Sequence, residues 1–332
     1  MDNPAEAVSI EGRDSPPKSR FGFAIRAGLG LALVVTLLWL CGADRVAQVL
    51  SRERPGFFVA AIALYFAGQM MSSYRWQLLA RLNGFGGLWR EYLAYYFVGV
   101  FTNLFVPGLV GGDAARARYL GLRHRRVGAA VASVVADRGV GLVALFWFAA
   151  IAALTATSVR IPAALIHLTV ALGLTALLGY LAGPLLATVA SRFSGRVRAI
   201  AEPLTPYLRN QRGMIVPLAL SMVLQASLAL CQYLLAVGMG IAIPFSAVLL
   251  IVPMANVVAS IPLTINGLGV RESAYLLLFG LAGVARQDAI ALGLVWFAST
   301  LVAGLSGLWP FVVTPAPKPE IIREPLVQST SA

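Results

Sequence analysis

The stretch Pro262-Leu-Thr-Ile-Asn-Gly-Leu-Gly-Val-Arg-Glu272 interrupts an otherwise apolar part of the chain. Its two glycines reach backbone angles that other residues avoid, and its proline removes a backbone donor, so a continuous helix is not expected here. A helix break at membrane depth is stable only where the free amide and carbonyl groups are buried in protein or line a wet cavity. An extramembrane loop between two ordinary spans is the alternative. Because Arg271 and Glu272 end the stretch, the broken-helix interpretation predicts a functional site here.

The composition is that of an integral membrane protein. The chain has 332 residues, of which 59% are hydrophobic and 12% are charged, and a mean hydropathy of +0.80, whereas soluble domains carry about 25% charged residues. The net charge of +12 does not predict a nucleic-acid partner, because the arginines fall between apolar runs, where they set topology and contact anionic headgroups. The two cysteines and the two histidines are too isolated to predict a disulfide, a metal site or any cofactor.

A polar N-terminal stretch is followed by a series of apolar segments. Residues 1–20 are predicted to form a disordered cytoplasmic tail, residues 21–312 a transmembrane domain, and residues 313–332 a C-terminal cytoplasmic tail. The first apolar run is long for a signal peptide and lacks a small-residue cleavage site, so we interpret it as a retained span of the inner membrane. The apolar segments are 21–41, 55–79, 91–110, 127–157, 161–190, 213–240, 244–263 and 271–312.

The positions of the arginines distinguish between two topologies. A helix needs about 20 residues to cross the membrane, so not every segment has to be one crossing. If each segment crosses once, the arginine-rich loops at 113–126 and 191–212 lie outside, against the positive-inside rule. If residues 91–112 enter and return on the same side, both loops and both termini are cytoplasmic. A second broken region, 244–284, then enters from the opposite face.

This arrangement predicts an all-α polytopic membrane protein of about eight hydrophobic helices. Six would be full spans, and two oppositely oriented re-entrant pairs of broken helices would complete an inverted repeat. Inverted repeats whose broken helices meet near the midplane are a recurring plan of transporters.

The first broken region is Asn103-Leu-Phe-Val-Pro-Gly-Leu-Val-Gly-Gly-Asp-Ala-Ala-Arg-Ala-Arg118. Its proline and first glycine stop the incoming helix, the Gly-Gly pair permits a tight turn, and Asp113 is predicted to cap the next helix. Backbone amides at a helix start, with Arg116 beside them, form a binding site for a phosphate group. A capped turn with solvated arginines is the alternative.

Asp137 and Arg138 lie about 18 Å along a helix that starts at Arg126, near the middle of the membrane. We expect Asp137 to contact Arg271 or Arg116, and Arg138 to contact Glu272 or Asp113. The resulting ion network is either purely structural or coupled to substrate.

Two further patterns point away from chemistry. Tyr74-Arg75-Trp76 is typical of aromatic and basic residues that anchor a helix among lipid headgroups. No nucleophile lies beside a base, so no catalytic residue is predicted. An enzyme that acts on a lipid-linked substrate through Asp113, Asp137 and Glu272 is an alternative, although the sequence does not assemble an acid–base pair.

Taken together, the two broken regions and the Asp137-Arg138 pair resemble the lysylphosphatidylglycerol synthase transmembrane region, a flippase-like membrane family, over roughly residues 20–312. The resemblance implies an integral membrane protein that translocates a phospholipid or other lipid-linked substrate. In bifunctional family members a soluble domain charges the lipid with an amino acid, and we expect this chain to be a stand-alone member without that domain.

The resemblance also implies which residues act. The substrate-binding residues would be Asn103, Asp113, Arg116, Asn266, Arg271 and Glu272, and the intramembrane ion network would include Asp137 and Arg138. A membrane scaffold for a soluble glycosyltransferase or synthase is a further alternative. The lipid, the direction and energy source of transport and the oligomeric state are not predicted.

Overall fold

The computed structural model describes residues 43–105, 110–155, 162–259 and 269–314, together with Val35 and Trp39. The described residues fold into α-helices with one short 3-10 turn at Glu202–Leu204 and contain no strand, which confirms the all-α prediction. In chain order the helices are α1 (Ala43–Ser51), α2 (Pro55–Leu82), α3 (Trp89–Phe105), α4 (Val110–His124), α5 (Val127–Thr155), α6 (Ala163–Leu181), α7 (Gly183–Ala190), α8 (Gly195–Ala201), α9 (Thr205–Arg209), α10 (Gln211–Gly238), α11 (Phe245–Ala259), α12 (Val270–Leu281), α13 (Arg286–Leu305) and α14 (Leu308–Val313).

Five helical segments in the described part of the chain are long and apolar enough to cross a membrane. They are α2, α5, α6, α10 and the combined segment Arg286–Val313, with 28, 29, 19, 28 and 28 residues. Since about 20 helical residues cross the hydrocarbon core, the chain is a multi-pass membrane protein. The predicted span at residues 21–41 falls outside the described residues apart from Val35 and Trp39, and the predicted N-terminal tail and residues 315–332 also lie outside them.

The two long helices α2 and α10 form an antiparallel pair at the centre of the bundle. Residue numbers on α10 fall as those on α2 rise, from one end of the pair to the other. The hydrogen bonds run from Arg54 N–H to the Gly238 carbonyl at 3.2 Å, from the Cys231 thiol to the Ala61 carbonyl at 3.5 Å, and from Arg75 Nη1 to Ser221 Oγ at 2.8 Å.

Helices α3 and α4 form the first hairpin. With 17 and 15 residues they are about 25 and 22 Å long, shorter than the hydrocarbon core. The Tyr95 and Tyr119 rings lie 5.3 Å apart, and Arg123 donates to Glu91 at 2.6 Å across the open end. The chain therefore leaves this hairpin at the end where it entered, as the arginine distribution predicts.

Helices α11 and α12 form the second hairpin, with 15 and 12 residues. Gly269 precedes α12 with a φ of +80°, a conformation that side-chain-bearing residues rarely adopt. Its N–H donates to the Glu272 carboxylate at 2.5 Å, which satisfies one of the free amides at the helix start. Gly269, the second glycine of the stretch at residues 262–272, thus allows α12 to begin inside the protein.

The helices α2–α5 form a first unit that α10–α13 repeat as a second unit. Helices α2 and α10 begin at Pro55 and Gln211, and the two hairpins begin at Trp89 and Phe245. Both pairs of residues are the same number of positions apart in the sequence. The packing is reciprocal as well, because α3 packs against α13 and α11 packs against α5. Since α2 and α10 are antiparallel, the two units run in opposite directions, which is the relation that an inverted repeat requires.

The basic residues gather at one end of the bundle, where α2 ends and α5 begins. The Arg126 guanidinium stacks 5.2 Å over the Phe85 ring there, and α10 begins against Leu82 at the same end. That end also carries Arg81, Arg90, Arg123, Arg125, Arg209 and Arg212. Its assignment to the cytoplasm remains a prediction from the positive-inside rule.

Glu53 lies at the opposite end, between α1 and α2, with its carboxyl group against Gly238. Both carboxyl oxygens are buried and neither has a hydrogen-bond partner among the residues that the structure describes. Burial raises the pKa of Glu53 to about 7, because removing a carboxylate from water favours the neutral acid.

The raised pKa of Glu53 predicts a pH-dependent stability. The folded chain binds more protons than the unfolded chain between about pH 4.5 and 7, so the free energy of unfolding is expected to fall as the pH rises through that window and then to level off. Glu53→Gln should remove this dependence, and Glu202→Gln, at an exposed position, should not. Thermal unfolding in detergent across this range measures both variants. A Glu53→Gln profile as steep as the wild type would contradict the assignment.

Candidate functional site

Asp137 of α5 is the centre of a buried ion network. Its side chain is 2% exposed, and each carboxylate oxygen accepts a hydrogen bond from a different arginine. Oδ1 accepts from Arg75 Nε of α2 at 2.8 Å, and Oδ2 accepts from Arg116 Nη1 of α4 at 2.8 Å. Three helices from distant parts of the first unit are therefore held together by one carboxylate.

The network continues through Asp113 in the first turn of α4. Asp113 accepts from Arg116 Nε at 3.1 Å and from Arg138 Nε and Nη2 at 2.7 and 3.0 Å. The charges alternate along Arg75, Asp137, Arg116, Asp113 and Arg138, which we call the ion chain. Three arginines and two aspartates leave the ion chain with one unit of positive charge.

Two aromatic rings also contact the Arg116 guanidinium, in addition to its two carboxylate partners. Its guanidinium lies 5.1 Å from the centre of the Trp76 ring and 5.2 Å from that of Tyr96, and both contacts have cation–π geometry. The Trp76 indole N–H donates to Ser133 Oγ at 3.1 Å, so the ring is fixed in turn. These contacts hold a permanently charged side chain inside the bundle.

Exposure increases from one end of the ion chain to the other. The side chains of Arg75, Asp137 and Arg116 are 10%, 2% and 4% exposed, whereas those of Asp113 and Arg138 are 18% and 41% exposed. Arg138 is therefore the member of the ion chain that an anion can reach from the surface of the helix bundle. An anion bound there would meet the net positive charge of the buried chain.

The second hairpin holds a separate polar cluster. Glu272 of α12 is fully buried, with Gly293 of α13 against its side chain. Three residues along α12, the Tyr275 hydroxyl donates to the Gln232 carbonyl oxygen of α10, and both of these residues are also fully buried. In the described part of the chain no group of three or more His, Cys, Asp or Glu could hold a metal ion.

An apolar groove of about 420 Å³ lies between α6 and the second hairpin. Its lining includes Leu165 of α6, Val258 of α11, and Val270, Ala274 and Leu277 of α12, and Ser273 is its polar member. Leu277 is 69% exposed, so the groove opens on a face of the bundle that is itself apolar.

The structure places the sequence-predicted residues in different environments. Of the predicted alternatives, Asp137 contacts Arg116 and Arg138 contacts Asp113. Asn103 accepts from the Gly112 N–H at 2.7 Å and so closes the first hairpin. Arg271 lies half-buried in the first turn of α12. Asn266 lies outside the described residues.

Two predictions about the first broken region are wrong. Asp113 does not cap α4, because α4 begins at Val110 and the Asp113 carboxylate is bound by two arginines instead. The pair Gly111-Gly112 does not form the turn, since both residues lie in the first turn of α4. Gly112 instead allows α4 to approach the backbone of α3 at Gly99.

The prediction that Arg75 and Trp76 anchor α2 among headgroups is also wrong. Arg75 is a buried member of the ion chain, and Trp76 is fully buried against Arg116, whereas Tyr74 is 42% exposed as an anchor would be. A local sequence pattern cannot separate the two cases. The position of Arg75 in the helix could have indicated its burial, because Arg75 lies about 10 Å before the end of α2 at Leu82.

Comparison with known proteins relates this chain to membrane proteins. The family model described as the lysylphosphatidylglycerol synthase TM region matches residues 25–307. A UPF0104 membrane protein of Pyrococcus horikoshii is 24% identical over 315 residues, covering 83% of this chain and 94% of its own. A UPF0104 membrane protein of Methanocaldococcus jannaschii is 25% identical over 112 residues, covering 33% of each chain. No solved structure matches the chain significantly.

Proposed function

This chain belongs to the family of the lysylphosphatidylglycerol synthase transmembrane region, and on that basis we propose that it translocates an anionic lipid or lipid-linked substrate across the membrane. The matched region extends over most of the chain and includes both hairpins and the ion chain. The proposal concerns the membrane region itself and needs no aminoacyl transfer.

The ion chain is the observation that carries this proposal. Charged side chains inside a membrane are costly and in most cases serve ion or substrate pathways. Here a net positive charge is built at the first hairpin, and its outermost arginine is partly exposed. Arginine binds phosphate with paired, charge-assisted hydrogen bonds. A lipid phosphate would therefore bind at Arg138, with Asp113 releasing part of that guanidinium as the phosphate arrives.

The apolar groove beside the second hairpin suits the other part of such a substrate. Its lining residues offer hydrocarbon contacts along α12, and it opens on an apolar face. An acyl chain that leaves the bilayer for this groove would lose no contact with apolar groups, while the headgroup is bound by charge.

The inverted units suit alternating access. Each unit contributes a hairpin that opens toward one end of the bundle, and the central α2–α10 pair belongs to both. Movement of one hairpin against the other would expose the substrate first to one leaflet and then to the other. In this proposal the basic end and both termini face the cytoplasm of a cell whose inner membrane contains the protein.

Lipid movement in proteoliposomes tests the proposed function. Wild-type protein is expected to make a headgroup-labelled anionic phospholipid accessible to a quencher from outside. Arg138→Gln should slow this about tenfold or more, because a hydrogen bond to a charged group contributes about 1.5–3 kcal/mol. Arg198→Gln is the matched control, since the Arg198 side chain is 63% exposed and forms a long surface pair with Glu202 at 3.9 Å.

The outcomes separate the proposal from a purely structural ion chain. Equal rates for wild type and Arg138→Gln, with both proteins folded, would assign the ion chain to stability alone. A wild-type protein that moves no anionic phospholipid would contradict the proposed function.

A further inference from the structure

The second hairpin carries a buried acid at the position where the first carries an arginine. Arg116 and Glu272 are as many positions apart in the sequence as Pro55 and Gln211, and so are Asp137 and Gly293. Glu272 is therefore the counterpart of Arg116, and Gly293 is the counterpart of Asp137. Arg116 contacts Asp137, and Glu272 contacts Gly293, since a side chain added at Gly293 would begin 2.9 Å from Glu272 Cγ. The repeat preserves the contact, but a single carboxylate against bare backbone replaces the ion pair.

Glu272 has one satisfied oxygen and one without a described partner. Oε2 accepts from the Gly269 N–H at 2.5 Å, whereas Oε1 is buried and has no hydrogen-bond partner among the residues that the structure describes. Gln232 Nε2 is a buried donor with the same property. Each of these buried polar atoms is costly as it stands, and a proton on Oε1 would remove the negative charge of the buried carboxylate.

The surroundings of Glu272 contain few other titratable groups. Arg271, on the same helix, interacts electrostatically with the Glu272 carboxyl group. It also interacts with the hydroxyls of Tyr275 on α12 and Tyr65 on α2. Cys231 lies on α10 near Tyr65. Helix α11 contains no titratable residue, and those of α13 are Arg286 and Asp288, more than a turn before Gly293.

We infer that Glu272 is a proton-binding site through which a proton gradient drives lipid movement, an inference that rests on the proposed function. Oε1 takes a proton from the aqueous side to which the second hairpin opens and releases it on the other side as access alternates. The carboxyl group changes its charge by one unit in each cycle, and no other bond forms or breaks. Arg116, its counterpart, stays protonated, so the first unit holds the anion and the second carries the proton.

Infrared spectroscopy tests the proton site without reference to transport. A pH titration in lipid nanodiscs of the full-length Glu53→Gln protein, which lacks the buried Glu53 carboxyl group, is expected to show the carbonyl band of a buried, protonated carboxylic acid. In this background, Glu272→Gln should remove that band, Glu272→Asp should keep it with a shifted titration, and the exposed control Glu202→Gln should leave it unchanged. A band that persists when Glu272→Gln is added to Glu53→Gln would overturn the inference.

A proton gradient across proteoliposomes tests the coupling. At one proton per lipid, a gradient of one pH unit is expected to shift the steady-state distribution of the labelled lipid about tenfold between leaflets. Glu272→Gln should lose the response to the gradient, Glu272→Asp should restore part of it, and the exposed control Glu202→Gln should keep it in full. Wild-type lipid exchange that ignores the gradient would overturn the coupling. An absence of exchange in wild type would instead contradict the proposed function, and the infrared result would still decide on the proton site.

Discussion

Asp137→Asn is expected to lower the free energy of unfolding by about 3–5 kcal/mol, because it leaves buried arginine charges without their carboxylate. Arg75 would lose its only ion-pair partner in the described structure, and Arg116 would keep only Asp113. The amide can still accept one hydrogen bond, but it carries no charge. Thermal or denaturant unfolding in detergent measures the loss, and lipid movement should fall with it.

A double-mutant cycle identifies the cause of this loss. Arg75→Gln in the Asp137→Asn background removes one of the uncompensated charges, so the double variant should be more stable than the sum of the single effects. Glu202→Gln, which breaks the exposed pair with Arg198, should change stability by less than about 1 kcal/mol. Additive effects of the two buried substitutions would show that Arg75 and Asp137 do not depend on each other.

Gly112→Ala is expected to open the first hairpin. A methyl group at Gly112 would overlap the Gly99 carbonyl oxygen and would lie 2.7 Å from the Asn103 amide. Overpacking against side chains costs about 1–3 kcal/mol, and the cost is higher here because the contact is backbone and cannot rotate away. The loss of the hairpin should remove both stability and lipid movement, since Asp113 and Arg116 follow directly on α4.

The chain offers matched controls for this substitution. Gly139→Ala on α5 would meet no atom within 4 Å, and it replaces a helical glycine two residues after Asp137. Alanine there should stabilise the protein by up to about 1 kcal/mol, because glycine is the weaker helix former. Gly99→Ala should reproduce the Gly112→Ala defect, since its methyl would lie 2.8 Å from the Gly112 carbonyl oxygen. Equal behaviour of Gly112→Ala and Gly139→Ala would contradict the close contact.

Much of the fold could be predicted from the positions of glycine, proline and arginine. The long apolar runs gave the spanning helices, and the arginine loops favoured a first hairpin that returns to its own side. The inverted relation of the units was predicted from charge and hydropathy, although the sequence shows no clear residue-level repeat. The structure adds the equal spacing of equivalent helix starts such as Pro55 and Gln211.

The site was predicted less completely. The pairs Asp137–Arg116 and Arg138–Asp113 were among the expected alternatives because their helices follow each other in the chain. Arg75 was missed because its environment comes from Asp137 and Ser221, which are distant in sequence. The position of Asp113 was misjudged because Val110 and the two glycines start a helix that their individual preferences oppose. The substrate roles of Asn103, Arg116, Arg271 and Glu272 stay predictions.

The antiparallel α2–α10 contact has the geometry of an isologous interface between two copies of one unit. In a homodimer of such units, every substitution would appear twice, and an arginine at one hairpin would force an arginine at the other. A single chain that holds both units is free of that constraint. The charge difference between Arg116 and Glu272 is therefore a property that only the fused form can have, and it makes the two hairpins chemically different.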